Sequence, residues 1–164
     1  MMNKERFPQR SEVQQATLLF LFDRKEKRVL LAMKKRGFGV GHWNGVGGKI
    51  GEGEKVEEAA KREAREEIGI TPKGLNKMGI LHFYFPDDPE KEGFNQDVHV
   101  FLSEDWEGEI EETEEMRPKW FGLEDIPYYD MWDDDIYWLP EVLKGRKVCG
   151  KFEFNGENKV AAYL

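Results

Sequence analysis

The stretch that decides the fold runs from residue 48 to residue 70 and reads GKIGEGEKVEEAAKREAREEIGI. Its second half predicts a helix that ends at Gly69, since glycine is typical of a helix C-terminus. On that helix Glu63 and Glu67 lie four residues apart and Glu66 lies three from Glu63, so three carboxylates share one face. Such like charges repel one another unless a cation lies between them, and oxygen-only ligands suit a hard ion such as Mg²⁺.

The charged helix face also has a simpler interpretation, because most runs of Glu, Lys and Arg are solvated and joined by salt bridges. The segment before the helix favours a binding site instead. It is rich in glycine, which lets the backbone pass close to a ligand and offer its N–H and C=O groups. These glycines are Gly45, Gly47, Gly48, Gly51 and Gly53. Glu54 follows at the start of the helical pattern, where the helix dipole favours an acid.

The whole stretch resembles the Nudix box, the signature of a hydrolase family that cleaves diphosphate linkages. The matching positions are Gly48, Glu54, Arg62, Glu63, Ala64, Glu66, Glu67, Gly69 and Ile70. A pattern that fixes so many positions is far more specific than a lone glycine motif. The resemblance implies the Nudix fold, an α/β/α sandwich around a mixed β-sheet. Strands that alternate loosely with two helices favour the same α/β class.

Segments outside the box resemble the Nudix hydrolases of oxidised purine nucleoside triphosphates, and the similarity runs from about residue 17 to residue 163. The segments are Met33–Gly39, Trp43–Gly45, Asp97–Phe101, Glu115–Pro118, Asp130–Trp132 and Tyr137–Trp138. The resemblance implies a Mg²⁺-dependent enzyme, with Mn²⁺ as a substitute ion. Its substrates would be nucleotides such as 8-oxo-dGTP and 2-hydroxy-dATP, which it would hydrolyse to monophosphate and pyrophosphate. Such an activity sanitises the nucleotide pool and prevents damage to DNA.

Two other functions remain open from the sequence. One is a Nudix pyrophosphohydrolase with a different substrate, such as ADP-ribose, a dinucleotide or an ordinary nucleoside triphosphate. The other is a non-catalytic Nudix domain that senses nucleotides. The intact trio of Glu63, Glu66 and Glu67 weighs against the sensor, because a binding module does not need a full set of metal ligands.

The resemblance also implies the residues of the catalytic centre. The metal ligands would be the Gly47 carbonyl, Glu63, Glu66, Glu67 and Glu115, and Arg62 would orient the helix carboxylates. Either Glu63 or Glu67 would be the general base, and the sequence leaves that choice open. Glu115 has a second interpretation as a solvated acid, since it lies within an acidic run.

The positions that align with the family's base pocket are Thr17, Phe38, Asn44, Phe83, Phe85, Met116, Trp132, Asp134 and Asp135. An indole can stack on a base, and an asparagine offers both a donor and an acceptor. Two adjacent aspartates in an aromatic pocket cannot both be charged at low cost, so the pKa of one should rise. Strand phenylalanines such as Phe83 and Phe85 are equally expected in a core. Lys34, with Lys35 and Arg36, would contact phosphate or simply end a strand in solvent.

Three histidines and one extra acid receive plainer interpretations. His82 and His99 are expected to pack between strands, and His42 to be a loop residue. The third acid after Trp132, Asp133, departs from the family pattern and is expected to matter little.

Composition fits a small enzyme with a single core. The chain has 164 residues, and its 39% hydrophobic and 13% aromatic content excludes a disordered protein. The formal charge of −8 disfavours a nucleic-acid binder. The sequence shows no secretory signal and no apolar run long enough to span a membrane, and Cys149 is its single cysteine. We therefore expect a cytoplasmic protein that does not associate with membranes. We also expect it to be a monomer. Residues 1–11 are expected to form a flexible tail, and residues 12–164 one Nudix domain.

The remaining elements follow from hydrophobic patterns. Strands are predicted over residues 13–22, 28–34, 75–85, 97–103 and 119–121, with a short strand before the glycine run. Helices are predicted at 54–68 and within 130–143, and a closing hairpin at 148–163 with its turn at Asn155-Gly156. Residues 86–96 and 104–115 are predicted to be loops.

Overall fold

The computed structural model describes residues 13–37, 39–86, 95–157 and 159–163. The predicted tail at residues 1–11, Phe38 and most of the 86–96 connection lie outside the described residues. The strands are β1 (Gln14–Asp23), β2 (Arg28–Lys34), β3 (Trp43–Asn44), β4 (Thr71–Pro72), β5 (Asn76–Tyr84), β6 (Gln96–Ser103), β7 (Trp106–Glu107), β8 (Met116–Gly122), β9 (Val148–Phe154) and β10 (Val160–Tyr163). The helices are α1 (Val56–Ile68), a short 3₁₀ helix (Tyr128–Asp130) and α2 (Asp135–Leu143).

The main sheet is mixed, as the sequence predicts. Its order is β10-β9-β5-β6-β1-β2-β3, and β8 pairs with β2 as well. The pairs β1–β6 and β5–β9 are parallel, and the other neighbouring strands run antiparallel. Parallel neighbours need long connections, and the chain between β1 and β6 contains α1.

Strand β1 is buried on both faces and separates two cores. Leu18, Phe20 and Phe22 pack in the same cluster as Trp138 and Leu139 of α2. Their neighbours Leu19 and Leu21 belong to the second cluster, together with Ala60, Ala64 and Ile68 of α1. Because strand side chains alternate between faces, the run ATLLFLF supplies both cores at once. The two helices therefore cover opposite faces of the sheet, and the predicted α/β/α sandwich is confirmed.

Helix α1 is held in place at its C-terminal end. Gly69 has φ 77° and donates its N–H to the Arg65 carbonyl, which is the left-handed cap that glycine favours. A Cβ on Gly69 would lie 2.7 Å from Oε1 of Glu111, so the next loop also packs closely here. The helix begins at Val56, two residues later than the pattern predicts, because the Glu54 side chain accepts a hydrogen bond from the Gly51 N–H in the preceding turn.

Two details differ from the sequence interpretation. The acidic segment 104–115 is not only a loop, since β7 pairs with β4 in a small second sheet. Strand β8 is longer than residues 119–121 because it pairs with β2 over its full length. Among the described residues, no helix is long and apolar enough to cross a membrane.

Candidate active site

The glycine segment passes beside β1 at very short range. Thr17 donates its N–H to the Gly48 carbonyl at 2.9 Å, and Leu19 and Val46 exchange two backbone hydrogen bonds. A Cβ on Gly47 would lie 1.9 Å from the Thr17 carbonyl oxygen, and one on Gly48 would lie 2.6 Å from Oε1 of Glu63. Only glycine permits this passage, which places the backbone between the sheet and the acidic face of α1.

Glu67 is the buried acid of this cluster. Its side chain is 4% exposed, and its Oε2 accepts a hydrogen bond from the Gly47 N–H at 3.1 Å. Burial, and then the neighbouring charge of Glu63, raise the pKa of Glu67 to about 8, while Lys34 opposes the shift. An ionised Glu67 is therefore costly in this cluster unless further positive charge is close by.

Arg62 organises the carboxylates around it. Its guanidinium donates to both oxygens of Glu54 at 2.8 and 3.0 Å, to Oε1 of Glu63 at 2.8 Å and to Oε2 of Glu66 at 3.3 Å. It also donates to the Lys49 carbonyl at 3.1 Å. The bond from Arg62 lowers the pKa of Glu54 to about 2. Glu54 is thus bound to Arg62 and to the Gly51 N–H, which makes it a positioning residue.

Burial raises the pKa of Glu63 as well, although Arg62 opposes that shift. Glu63 and Glu67 therefore differ in their surroundings. Glu63 has one oxygen bound to the Arg62 guanidinium, whereas Glu67 accepts a hydrogen bond from the neutral Gly47 N–H. The two candidates for the general base therefore differ in whether a positively charged side chain binds the carboxylate.

Glu115 reaches the cluster through a tightly held loop. Thr113 donates its hydroxyl to the Glu67 carbonyl at 2.8 Å, and accepts the backbone N–H groups of Glu115 and Met116 at 3.3 and 3.2 Å. The charge of Glu115 contributes to the raised pKa of both Glu63 and Glu67. Glu115 itself is exposed and pairs with Arg36 at 3.5 Å. The anchoring role of Thr113 was missed by the sequence interpretation, since nothing in an acidic run marks one threonine.

The donors of this cluster suit a hard divalent cation, because they are carboxylate and carbonyl oxygens. In the part of the chain that the structure describes, however, no three acidic, histidine or cysteine side chains already converge as a ligand set. Glu63 is turned towards Arg62 and Glu67 towards Gly47. The type of ligand therefore fits, and the carboxylates would have to rotate from these contacts to bind an ion.

A cavity of about 240 Å³ opens beside the cluster. Lys34 and every base-site residue from the sequence prediction that the structure describes line it: Thr17, Asn44, Phe83, Phe85, Met116, Trp132, Asp134 and Asp135. The other two phosphate candidates do not line it, since Lys35 pairs with Glu112 and Arg36 with Glu115. Phe38 lies outside the described residues. Gly47 and Gly48 line the same cavity, so the glycine segment forms a wall shared with the carboxylate cluster.

Asp134 and Asp135 form a buried carboxyl pair at the start of α2. Both are 2% exposed, and Asp134 Oδ2 accepts a hydrogen bond from the Trp138 indole at 2.6 Å. Burial raises the pKa of both groups, and the charge of Asp134 raises that of Asp135 further. Oδ2 of Asp135 is buried without a hydrogen-bond partner among the described residues. Burial therefore disfavours ionisation of both carboxyls at once, in agreement with the raised pKa expected from the sequence, and the binding of a base by this pair stays a prediction.

Aromatic rings surround Trp132. The His42 ring stacks on the indole with centroids 4.9 Å apart and planes 17° apart. Phe85 and Phe154 meet Trp132 at steep angles of 72° and 77°. His42 does lie in a loop, but the sequence interpretation missed its place in the cavity wall, as it missed Phe154. Neither spacing nor composition indicates a contact between residues so far apart in the chain.

Phe83 on β5 and Phe85, which directly follows that strand, line the cavity and also pack in the core. Phe85 is buried and stacks on Phe154 with centroids 5.2 Å apart. Phe83 stacks on Phe152 at 5.7 Å. The core alternative from the sequence is therefore confirmed for these positions, whereas their contact with a base stays a prediction.

His82 and His99 lie in a separate polar network on the sheet. His82 Nδ1 hydrogen-bonds Asp97 Oδ1, Gln15 donates to Asp97 Oδ2 at 2.9 Å, and His99 Nε2 lies 2.9 Å from Gln15 Oε1. None of these residues lines the cavity described above. Their packing between strands agrees with the sequence interpretation.

Asp133 requires a correction. The sequence interpretation expects this extra acid to matter little. In the structure, its Oδ2 accepts a hydrogen bond from the Val160 N–H at 2.8 Å, and its Oδ1 forms an ion pair with Lys159 at 3.7 Å. These contacts join the loop that carries Trp132 to the edge strand β10. Asp133 is therefore structural and not inert.

Comparison with known proteins decides the family. A family model described as the NUDIX domain matches residues 13–142. The chain belongs to the Nudix family. Members of this family typically depend on a divalent metal, which agrees with the oxygen donors on α1. The chain is therefore a Nudix hydrolase.

Relatives within the family share most of the chain. The oxidized purine nucleoside triphosphate hydrolase of Mus musculus is 48% identical over 137 residues, which cover 84% of this chain and 85% of the relative. The protein of the same name from Danio rerio is 46% identical over 136 residues, or 83% and 85% of the two chains. A crystal structure of a MutT protein from Bacillus halodurans superposes with a TM-score of 0.80 at 28% identity, covering 93% of this chain and 97% of that one. The Nudix fold is thus confirmed.

Proposed function

We propose that this Nudix hydrolase cleaves oxidised purine nucleoside triphosphates, such as 8-oxo-dGTP and 2-hydroxy-dATP, to a monophosphate and pyrophosphate. The observation that carries the proposal is the buried Asp134–Asp135 pair, which shares one cavity with Asn44 and Trp132. That cavity adjoins the Nudix carboxylates through Gly47. The names of the relatives in mouse and zebrafish support the same substrate class.

The carboxyl pair accounts for recognition of two different oxidised bases. Because burial favours a shared proton, one carboxyl donates a hydrogen bond while the other accepts one. Exchange of the proton between Asp134 and Asp135 reverses that pattern without moving the backbone. An oxidised guanine and an oxidised adenine present different edges, and a pair that can exchange its proton accommodates both. Asn44 adds one donor and one acceptor, and Trp132 supplies a stacking surface.

The phosphate end of the substrate would lie beyond the glycine wall. The Gly47 carbonyl, Glu63, Glu66, Glu67 and Glu115 would hold Mg²⁺, or Mn²⁺ in its place. When bound, the ion supplies positive charge to the phosphates and lowers the pKa of a coordinated water. Lys34 lines the cavity and lies close enough to Glu67 to influence its pKa, so it is placed to contact a phosphate.

Glu67 is our choice for the proton acceptor. It is buried, its carboxylate accepts a hydrogen bond from the neutral Gly47 N–H, and burial raises its pKa, which makes it a stronger proton acceptor. Glu63 is less suitable because Arg62 holds one of its oxygens. In the reaction, water attacks the phosphorus next to the nucleoside and gives its proton to Glu67. The bond to the bridging oxygen breaks, and pyrophosphate leaves.

A substrate panel tests this function. Pyrophosphate release is followed with 8-oxo-dGTP, 2-hydroxy-dATP, dGTP, dATP and ADP-ribose, each with Mg²⁺. We expect the two oxidised nucleotides to have the highest kcat/KM. Faster cleavage of ADP-ribose or of the ordinary nucleotides would instead support a Nudix enzyme of another substrate, and no turnover of any nucleotide would support a sensor.

The products test the bond that is cleaved. In ¹⁸O-labelled water, the new oxygen should appear in the monophosphate if attack is next to the nucleoside. Formation of a nucleoside diphosphate with orthophosphate would contradict the assignment.

A further inference from the structure

We propose that His42 is a positioning residue of the base site, whose imidazole backs the Trp132 indole and holds it ready to stack on a purine. The inference rests on the proposed function, because it takes the cavity around Trp132 to be the base pocket. It adds a residue outside the carboxylate cluster and the carboxyl pair.

The rings around Trp132 do not all act alike. His42 lies nearly parallel to the indole, at 4.9 Å and 17°, so it covers one aromatic face. Phe85 and Phe154 approach at 72° and 77° and so fix the edges of the ring system. Trp132 also lines the cavity. Among the described rings near it, His42 is the one in a position to set the plane of the indole.

The loop that carries His42 is built to hold it there. Gly39 and Gly41 have φ values of 89° and 83°, which side chains other than glycine rarely adopt. His42 donates its N–H to the Gly39 carbonyl at 3.1 Å, and Gly41 donates to the Lys34 carbonyl at 3.2 Å. The next residue, Trp43, pairs with β2. The imidazole is therefore placed by a turn fixed at both ends.

Stacking, and not a side-chain hydrogen bond through Nδ1, holds the imidazole on Trp132. Nδ1 of His42 is buried and has no hydrogen-bond partner among the described residues. A Cβ on Gly39 would lie 3.5 Å from the indole Nε1, so the loop backbone packs against the same ring. These contacts restrict the indole to one orientation before a base arrives.

Such restriction acts on binding and not on the chemical step. If the indole already has one orientation, the binding of a purine does not have to restrict its rotation. Less conformational entropy is then lost on binding, and the affinity for the purine is higher. The effect should be the same for every purine, because a stacked ring does not read the base edge. His42 should therefore influence KM and leave kcat and base preference unchanged.

The test is a double-mutant cycle between His42→Ala and Trp132→Ala, with Kd for 8-oxo-dGMP and dGMP measured by calorimetry. From the strength of an aromatic pair, His42→Ala should raise both Kd values by about threefold to tenfold. The kcat for 8-oxo-dGTP should stay within roughly twofold. In the Trp132→Ala background, His42→Ala should have no further effect. His42→Phe keeps a flat ring and should restore binding, whereas His42→Leu should not.

Several outcomes would overturn the inference. Unchanged Kd values for His42→Ala would show that the indole does not need backing, and tighter binding would show that the imidazole occupies the base's own side of Trp132. An equal effect with and without Trp132 would mean that His42 acts independently. If His42→Ala fails to fold, the comparison of His42→Phe with His42→Leu decides in its place. A wild-type protein that binds neither nucleotide refutes the proposed function as well, whereas normal wild-type binding with an unaffected variant refutes this inference alone.

Discussion

The backbone N–H of Gly47 donates a hydrogen bond to Oε2 of Glu67 at 3.1 Å, across 20 residues of sequence. Gly47 lines the cavity in which we place the base, and Glu67 is the buried acid of the carboxylate cluster. One peptide group therefore contacts both parts of the site. A change at Gly47 should disturb base binding and chemistry together.

Gly47→Ala is predicted to destabilise the protein and to abolish most of its activity. The added Cβ would lie 1.9 Å from the Thr17 carbonyl oxygen, so either β1 or the glycine segment must move. Overpacking of this kind costs about 1–3 kcal/mol or more. Urea denaturation and steady-state turnover measure the two effects.

Gly74→Ala is the matched control, because a Cβ there meets nothing within 4 Å. It should keep wild-type stability and turnover. A Gly47→Ala variant as stable and active as Gly74→Ala would show that the close passage beside Thr17 is not needed.

Glu67→Gln is predicted to lose about 10²–10⁴-fold in kcat, the range typical of a general base. The fold should survive, since an amide can still accept the Gly47 N–H and carries no charge to bury. Chelator should abolish wild-type turnover, and Mg²⁺ or Mn²⁺ should restore it. Turnover of the variant is measured beside its circular dichroism.

Glu58→Gln makes the same chemical change on the exposed side of α1, and it should leave activity intact. If both variants turn over substrate at similar rates, Glu67 is not the general base, and Glu63 becomes the better candidate.

Asp134→Asn and Asp135→Asn are each predicted to change the ratio of activities on 8-oxo-dGTP and 2-hydroxy-dATP. An amide fixes one donor and one acceptor, whereas the acid pair can exchange its proton. The loss in kcat/KM should correspond to about 1–3 kcal/mol for one buried hydrogen bond. Metal dependence should not change.

Asp130→Asn, an exposed change in the short 3₁₀ helix that precedes Trp132, is the suitable control for these variants. Asp133 is unsuitable, since its bond to Val160 holds β10. Unaltered base preference in both the Asp134 and the Asp135 variants would place the base pocket elsewhere.

The carboxyl pair also predicts how stability depends on pH. Burial raises the pKa of both aspartates in the folded protein above their usual value of 3.8. Between that value and the raised pKa, the folded state binds more protons than the unfolded state, so stability falls as the pH rises. Asp135→Asn removes one titrating group. Its unfolding free energy should fall less steeply with pH than that of the wild type, by up to about 1.4 kcal/mol per pH unit.

Chemical denaturation at a series of pH values above 4 measures both slopes. Parallel slopes for the wild type and Asp135→Asn would show that Asp135 is ionised in the folded protein, contrary to its burial. Asp130→Asn again serves as the control.

The sequence predicts local features of this protein well, because each is specified within a few residues. The pattern over residues 48–70 places α1, its cap at Gly69 and the carboxylates on its face. The apolar pattern over residues 13–22 predicts the strand that the structure shows as β1. The alignment of Trp132, Asp134 and Asp135 with a known family places the base site, although the roles of these residues remain predictions.

Tertiary structure alone decides which distant residues meet. The stacking of His42 on Trp132 joins residues that lie 90 positions apart in the sequence, and the hydrogen bond between Asp133 and Val160 spans 27 positions. Thr113 bonds to the backbone of Glu67 for the same reason. Periodicity and composition describe only neighbours along the chain, whereas these contacts depend on how strands are ordered in the sheet. The raised pKa of Glu67 likewise requires knowledge of how deeply α1 is buried, which follows from its packing against β1.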